Sequence, residues 1–467
     1  MIRDWRVDKS PALPEEPGSA PISEFLPNVR IGWGINLADT IARLIDATAD
    51  ETPRDPRLAK RALEIVADAG ASEDDGKPAK DTKDPEKEGD PDKQAAPSSA
   101  AATAAPVAKA TAPEIAEKAA KISSEEKARR AYRWVVTNIE PSREADPRRS
   151  IMGKSGSRTD AFLYLCRLLG IDASLGLVRD RLSAPPTGPM SEAESFGSVG
   201  VRIKTDAGVH WLVVRDKFAP FGYLPSGMRG QPAIVLRPGA PRETTPTTGA
   251  KDGVTNAGVA KLAEDGSATI RLTQNYEGQI AISLRNVLES LPESQVQETV
   301  EARLLPRVRP GALIDTLDIR NLHDLDRPLT LEMKVRMPNF ATVRAGSGGP
   351  ELVVSPPFAL RLSGLAQLPT RETPIYISEQ MSTLSIVDLR VVLPEGAKVT
   401  TALSAWNAED DGRTVKVNDR VQDGALVIAR TIDIPAGRVQ PETYAAFQSF
   451  VKSADTVLHR DVVIALK

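Results

Sequence analysis

The residues of this chain whose types and spacing could do chemistry lie in the stretch Met152-Gly153-Lys154-Ser155-Gly156-Ser157. It leads into an apolar helix ending Leu168-Leu169-Gly170-Ile171. A nucleophile at the head of a helix sits at the positive end of the helix dipole, which favours its anionic, attacking form. A serine needs more than a thiol does. Its hydroxyl is far less acidic, so a well-placed base must take the proton. His210 and Asp216 could complete a triad with Ser155 or Ser157. Against that reading, a serine opening a helix serves as an N-cap, and His210 follows a turn at Asp206-Ala207-Gly208 that puts it at the surface. Cys166 falls about three turns into the helix among apolar residues, where a free cysteine behaves as a small buried hydrophobe. Gly153-Lys154-Ser155 also suggests a phosphate-binding loop, but that pattern requires a glycine where Arg148 stands, and no strand-forming run precedes it.

Composition narrows the classes. With Cys166 as its one cysteine the chain can form neither an intramolecular disulfide nor a cysteine-based metal site, and His210, His323 and His459 are far apart in sequence. No metal and no cofactor are expected. A net charge of -3 at pH 7 provides no basic field for a nucleic-acid partner. No apolar run approaches bilayer length, and Met1-Ile2-Arg3-Asp4-Trp5-Arg6 lacks the charged-then-apolar order of a signal peptide, so no transmembrane segment is expected. The 467 residues suffice for about two to four domains. A hydrophobic share of 41% and a charged share of 26% are those of a largely globular chain.

The elements that must position these residues can be read from periodicity. An extended Pro-rich stretch, Pro11 to Pro27, has no evident strand partner and reads as the tail of an upstream β domain. Helices follow over Leu37 to Ala47 and around Leu58, Ala62, Ile65 and Val66, completing a first segment, 1–71. Residues 72–113 lose large apolar side chains and read as a disordered charged and Ala/Pro-rich linker, unable to offset its ordering entropy. A core spans 114–245. It opens with the capping box Ser123-Ser124-Glu125-Glu126 before Ala128, Tyr132, Val135, Val136 and Ile139, and passes a polar turn through Pro141 and Pro147. It continues through strand-like runs at Ser174-Val178, Ser198-Ile203 and Trp211-Val214. From 253 to 467 the period becomes two. Leu329, Leu331, Met333, Val335 and Met337 alternate with other residues, as do Val387, Leu389, Val391 and Leu393, which predicts β-sandwich material in one or two subdomains. Helical interruptions are expected at Ile280-Leu291 and Pro441-Val451.

Lys127-Ala128-Arg129-Arg130-Ala131-Tyr132-Arg133-Trp134-Val135-Val136-Thr137-Asn138-Ile139, the Gly153-Lys154-Ser155 helix and the turn Ala219-Pro220-Phe221-Gly222-Tyr223-Leu224-Pro225 with Arg229-Gly230 resemble the transglutaminase-like superfamily. That superfamily shares the papain-like cysteine-protease arrangement. The similarity is to a bacterial subgroup with flanking β-sandwich domains of unknown function. It implies an α+β fold: a degenerate transglutaminase-like core followed by C-terminal β-sandwich structure. It also implies a cysteine heading the helix, a histidine on one strand and an aspartate on the next. Register counted back from Leu169-Gly170-Ile171 puts Ser155 in the cysteine's place, or Ser157 if the loop is shorter. Phe196-Gly197-Ser198-Val199 puts Ser198 at the histidine, and Trp211-Leu212-Val213 puts Val213 at the aspartate. All three positions are therefore replaced, and no catalytic residue is expected. The resemblance implies a bacterial cell envelope or periplasm and a catalytically inactive module binding a protein, peptide or glycan. The alternative is a serine-dependent hydrolase or acyltransferase using Ser155 or Ser157 with His210 and Asp216.

Overall fold

A computed structural model describes residues 16–21, 24, 37–48, 52–68, 112–183, 192, 194–247, 252–305, 310–346 and 348–467. The chain divides into two units, Thr52–Asp172 with Thr205–Ala207, and Met1–Glu51 with Ala173–Lys204 and Gly208–Lys467. Both helices and sheets are abundant, so the fold is mixed α and β. No helix among the described residues is long and apolar enough to cross a membrane. Of the expected linker, residues 72–111 lie outside the described residues, and its last two residues belong to a helix that begins at Ala112.

Helix α1 (Leu37–Thr48) belongs to the larger unit. The smaller unit comprises α2 (Pro56–Asp68), α3 (Ala112–Ala120), α4 (Ser124–Asn138), β1 (Glu140–Pro141), α5 (Pro147–Gly153), β2 (Ser155–Gly156) and α6 (Arg158–Leu168). Helical spacing of apolar residues drives its packing: Ala128, Ala131, Tyr132, Val135 and Val136 are the buried residues of α4. Tyr132 meets Phe162 of α6 edge to face at 5.8 Å between ring centres. The Ser123 hydroxyl accepts the Glu126 N–H at 3.1 Å, as the capping-box spacing predicts, while the Glu126 carboxylate turns to Arg130 at 2.6 Å. The expected polar turn at Pro147 is instead the start of α5. Asp146 caps it by accepting the Arg148 N–H at 2.8 Å, and Pro147 opens it because a missing N–H costs nothing there.

In the larger unit β3 (Asp172–Val178), β4 (Ser198–Thr205), β5 (Gly208–Leu212), β6 (Pro232–Val235) and β7 (Arg242–Thr244) form a sheet in the order β5-β4-β3-β6-β7. Leu37 and Ile41 of α1 pack with Phe196 and Ile234.

A larger array follows: β8 (Gly253–Leu262), β9 (Ala268–Glu277), α7 (Gly278–Ser290), α8 (Glu293–Arg303), β10 (Leu313–Arg320), β11 (Leu329–Met337), β12 (Ala341–Gly346) and β13 (Gly349–Val354). It continues with β14 (Ile375–Ile377), β15 (Thr383–Val392), β16 (Lys398–Val399), β17 (Trp406–Asp410), β18 (Arg413–Val417), β19 (Arg420–Gln422), β20 (Ala425–Ile434), β21 (Gly437–Val439), α9 (Tyr444–Leu458) and β22 (Val462–Ala465). One sheet runs β10-β11-β9-β8-β15-β20-β18-β17, with β19 on β20, and a second runs β12-β13-β22-β16. The pairing of β8 with β15 is parallel.

The period-two residues behave as expected. Leu329, Leu331, Met333, Val335 and Met337 are buried along β11, and Val387, Leu389 and Val391 along β15. Leu352, Val354, Val462 and Ile464 of the second sheet share that core, so two sheets face each other across one apolar layer. Helix α7 falls where one interruption was expected and α9 where the other was; α8 was not anticipated, its sequence being too polar to show a stripe.

Of the Pro11 to Pro27 stretch, residues 18–20 meet the edge of β14. Ser19 bridges Ile375, Tyr376 donates to the Gly18 carbonyl at 2.8 Å, and Ala20 donates to the Pro374 carbonyl at 3.1 Å. Glu16 anchors this segment: its carboxylate accepts the N–H groups of Glu372 at 2.9 Å and Thr373 at 3.0 Å and the Thr373 hydroxyl, and lies 3.5 Å from Arg371 Nε. Burial works against the Glu16 charge. The Thr373 hydroxyl, the two N–H groups and the Arg371 guanidinium outweigh it and hold the carboxyl below its ordinary value. Removing it would strand a buried guanidinium, so Glu16→Ala is expected to cost about 3 kcal/mol in urea unfolding at pH 7. A carboxyl whose pKa is lowered on folding stabilises fully above its unfolded pKa and ceases to as pH falls through the folded one. The gap between wild type and Glu16→Gln should therefore narrow below the ordinary glutamate value of 4.5; a gap constant from pH 7 to pH 3 would refute the assignment.

Candidate functional site

The helix carrying the candidate nucleophile opens later than sequence register suggests. Helix α5 ends at Gly153, and Lys154 closes it in the left-handed region with φ 51°. Ser155 and Gly156 then pair in parallel with Glu140 and Pro141. Ser157, not Ser155, is the residue at the head of α6, and its hydroxyl accepts the Asp160 N–H at 3.3 Å. Gly156 is required between them. A side chain there would run into the Ser150 hydroxyl, and its φ of 152° favours glycine.

The far end of α6 is closed as its sequence predicts. Gly170 sits at φ 72°, Ile171 donates to the Cys166 carbonyl at 2.8 Å, and Gly170 donates to the Arg167 carbonyl at 3.3 Å, the paired bonds of a Schellman ending. Two polar side chains pin the helix within its unit. Arg158 Nε donates to the Ile139 carbonyl at 2.6 Å, and the Tyr164 hydroxyl donates to the Pro53 carbonyl at 2.9 Å. Cys166 is fully buried, and burial pushes its thiol far above the ordinary cysteine value. Burial of this kind disfavours the thiolate that a nucleophile requires.

The other sequence-designated positions belong to the larger unit. Ser198 is the first residue of β4 and half-buried. Val213 follows β5, donates its N–H to the Tyr223 carbonyl at 3.2 Å, and packs beside Trp211 and Tyr223 in two small apolar clusters. An apolar side chain can neither orient an imidazole nor move a proton. His210 lies on β5, half-buried, with its ring 5.5 Å from Phe221. The Asp216 carboxylate lies 3.9 Å from Arg215 Nε, and its carbonyl accepts the Ala219 N–H at 3.2 Å.

Sequence reading assigned no role to the polar residues around the aromatic turn. The Tyr223 hydroxyl donates to Asp252 Oδ1 at 3.1 Å, and Arg229 Nη2 reaches Asp252 Oδ2 at 2.8 Å. Burial, and then the Asp252 charge, raise the Tyr223 phenol above its ordinary range, so it stays protonated and holds this bond. Nearby, the Glu243 carboxylate accepts Arg202 Nε at 2.7 Å and Trp211 Nε1 at 3.3 Å, tying β4, β5 and β7 together. These groups pair with one another, which fits a structural role. Tyr223 and Trp211 were visible as conspicuous aromatics; their acidic partners, 29 and 32 residues away in sequence, were not.

Residues 351–464 match the model of DUF3858, a domain of unknown function. A search of curated proteins gives no match. One solved structure, described as a "putative protease" from Parabacteroides distasonis, is similar at 11% identity and a TM-score of 0.42, covering 74% of this chain and 53% of its own. The chain thus spans about half the length of that protein.

The local geometry separates the two serines by experiment. Loss of an N-cap hydroxyl costs about 1 kcal/mol, so Ser157→Ala should lower stability by that amount in urea unfolding while Ser155→Ala stays within about 0.5 kcal/mol. Equal effects would refute the assigned helix start. The Cys166 thiol should resist a disulfide reagent such as dithiobis-nitrobenzoate at pH 8 in the folded chain and react fully in guanidinium; rapid reaction before unfolding would contradict its burial.

Proposed function

We propose that this chain is a non-catalytic binding or scaffolding module, built on a transglutaminase-like framework that has lost its reactive groups, for a peptide, protein or glycan partner. The observation that carries the reading is the head of α6. The hydroxyl standing where a nucleophile would be is engaged as a helix cap by the Asp160 N–H at 3.3 Å, and the chain's one thiol is sealed inside the same helix. Two further positions support it. Ser198 and Val213, which the resemblance equates with the histidine and aspartate, offer no general base and no carboxylate. A lone cysteine-to-serine change would leave a site with its base in place. Three coordinated replacements leave the frame without the chemistry.

The test is labelling of the full chain with a serine-reactive fluorophosphonate probe, read by intact-protein mass. Folded protein should acquire no adduct under conditions that label a control serine hydrolase completely. Stoichiometric labelling removed by Ser157→Ala or Ser155→Ala, and by His210→Ala, would overturn the proposal in favour of a serine hydrolase or acyltransferase.

A further inference from the structure

The inner face of the large sheet changes character at one end. Along β8, β9 and β15, cross-strand partners place Ala260 beside Ile270 and Gly258 beside Leu272 and Leu389, all in or against the apolar core. In the next row the same face presents Asn256 between Gln274 and Val387, and in the row after that Val254 flanked by Tyr276 and Ser385. Asn256, Gln274 and Ser385 are 3%, 4% and 4% exposed. Burying amides and a hydroxyl where the register calls for aliphatic side chains is destabilising unless their hydrogen bonds are made.

Part of the demand is met internally. The Tyr276 hydroxyl donates to Gln274 Oε1 at 2.9 Å, and Gln274 Nε2 donates to Asn256 Oδ1 at 2.7 Å. Among the described residues Asn256 Nδ2 reaches only the Ile386 carbonyl, at 3.5 Å. Each amide nitrogen carries two hydrogens, so among the described residues a donor is left over at Gln274 and another at Asn256. The Ser385 hydroxyl takes no partner among the described residues. All three side chains line one cavity of about 380 Å³, roofed by α7 and α8.

Most of the remaining lining is apolar, with Ile280, Leu284 and Val287 of α7 and Phe358 from the loop after β13, while Ser283, Thr299 and Thr383 add hydroxyls. Phe358 is held at φ 60°, a left-handed conformation that a bulky residue adopts only when its surroundings enforce it. Arg303, at the exposed end of α8, also lines the cavity and forms no ion pair among the described residues. An apolar enclosure with a few converging polar groups is the usual form of a small-molecule site, and the volume lies within the ordinary ligand range. A cavity of roughly 150 Å³ holds one benzene, so this one suits a body about two to three times larger.

We propose that this cavity binds a small amphiphile: an aliphatic body of about a dozen carbons ending in a carbonyl or carboxylate oxygen that accepts from Ser385, Gln274 and Asn256. The donors select an acceptor, the aliphatic walls take the chain, and Arg303 favours a negative over a positive ligand. This site is independent of the reading of α6.

The experiment is titration of the full chain with dodecanoate below its micellar concentration, by isothermal calorimetry, with dodecyltrimethylammonium as the cationic counterpart. Dodecanoate should bind one to one, and the cation at least tenfold more weakly. Leu284→Trp, which fills the cavity, should weaken dodecanoate at least tenfold. Ser385→Ala removes a hydroxyl with no partner among the described residues, so it should leave the thermal midpoint unchanged while weakening dodecanoate about three- to tenfold. Absence of saturable binding, equal affinity for the cation, or undiminished affinity in the folded Ser385→Ala protein would each overturn the proposal.

Discussion

The larger unit depends on one buried sheet face whose register is fixed by alternation. Strands β8 and β15 lie side by side and parallel, joining β8 to β11 to the later strands through β20. Side chains alternate along each strand, so slipping β15 by one residue would turn Val387, Leu389 and Val391 to solvent and bring Asp388 and Arg390 inward. No smooth drift of register is available. The second sheet, which adds Leu352, Val354, Val462 and Ile464 to the same apolar layer, can form its core only if that face is presented correctly. A parallel pair also cannot be closed by a tight turn. The long excursion through α7, α8 and β10 to β14 is the connection that this parallel neighbour requires, and it brings the helices onto the sheet.

What could be read from sequence followed the strength of local signals. The alternations in β11 and β15 were legible because one face is buried and the other is not. The capping box at Ser123, the α4 stripe and the Gly170 ending were legible because each is a short-range device with a fixed residue type. Helix α8 was not, since Glu293-Ser294-Gln295-Val296-Gln297-Glu298 carries almost no apolar stripe and buries only Val300 among its residues. Nor was the partner of residues 16–21, because their strand bridge and the Glu16 anchor connect positions more than 350 residues apart in sequence. Periodicity cannot report such a pairing.

The candidate nucleophile shows the same division. That a helix of this composition ends at Leu169-Gly170-Ile171 was plain, and counting backwards from it seemed to locate its head. The count failed by two residues because Lys154 closes α5 and Ser155-Gly156 is drawn into a short parallel pairing before α6 begins. Both Ser155 and Ser157 satisfy the residue preference for a cap; the choice rests on Gly156, whose missing side chain lets the turn pass against Ser150. Helix position in turn decides chemistry, since only the residue at the head feels the dipole and only its hydroxyl is taken up by the first turn.

A sequence that follows the rules of its fold along most of a sheet and breaks them at one end does so at a cost. Replacing Asn256, Gln274 and Ser385 by aliphatic residues would continue the core of β8, β9 and β15 without interruption, and the helices above would have closed upon it. Instead the chain keeps buried donors that acceptors among the described residues do not exhaust, and an aromatic residue at a left-handed backbone position against the space they face. Neither feature improves packing. Departures of this kind belong where function rather than stability has set the residue. The polar row lies at the end of the face where α7 and α8 leave room above it, while the parts of the same face against the second sheet remain apolar. Core and cavity thus come from one alternating pattern, and the difference between them is which atoms were left without a partner.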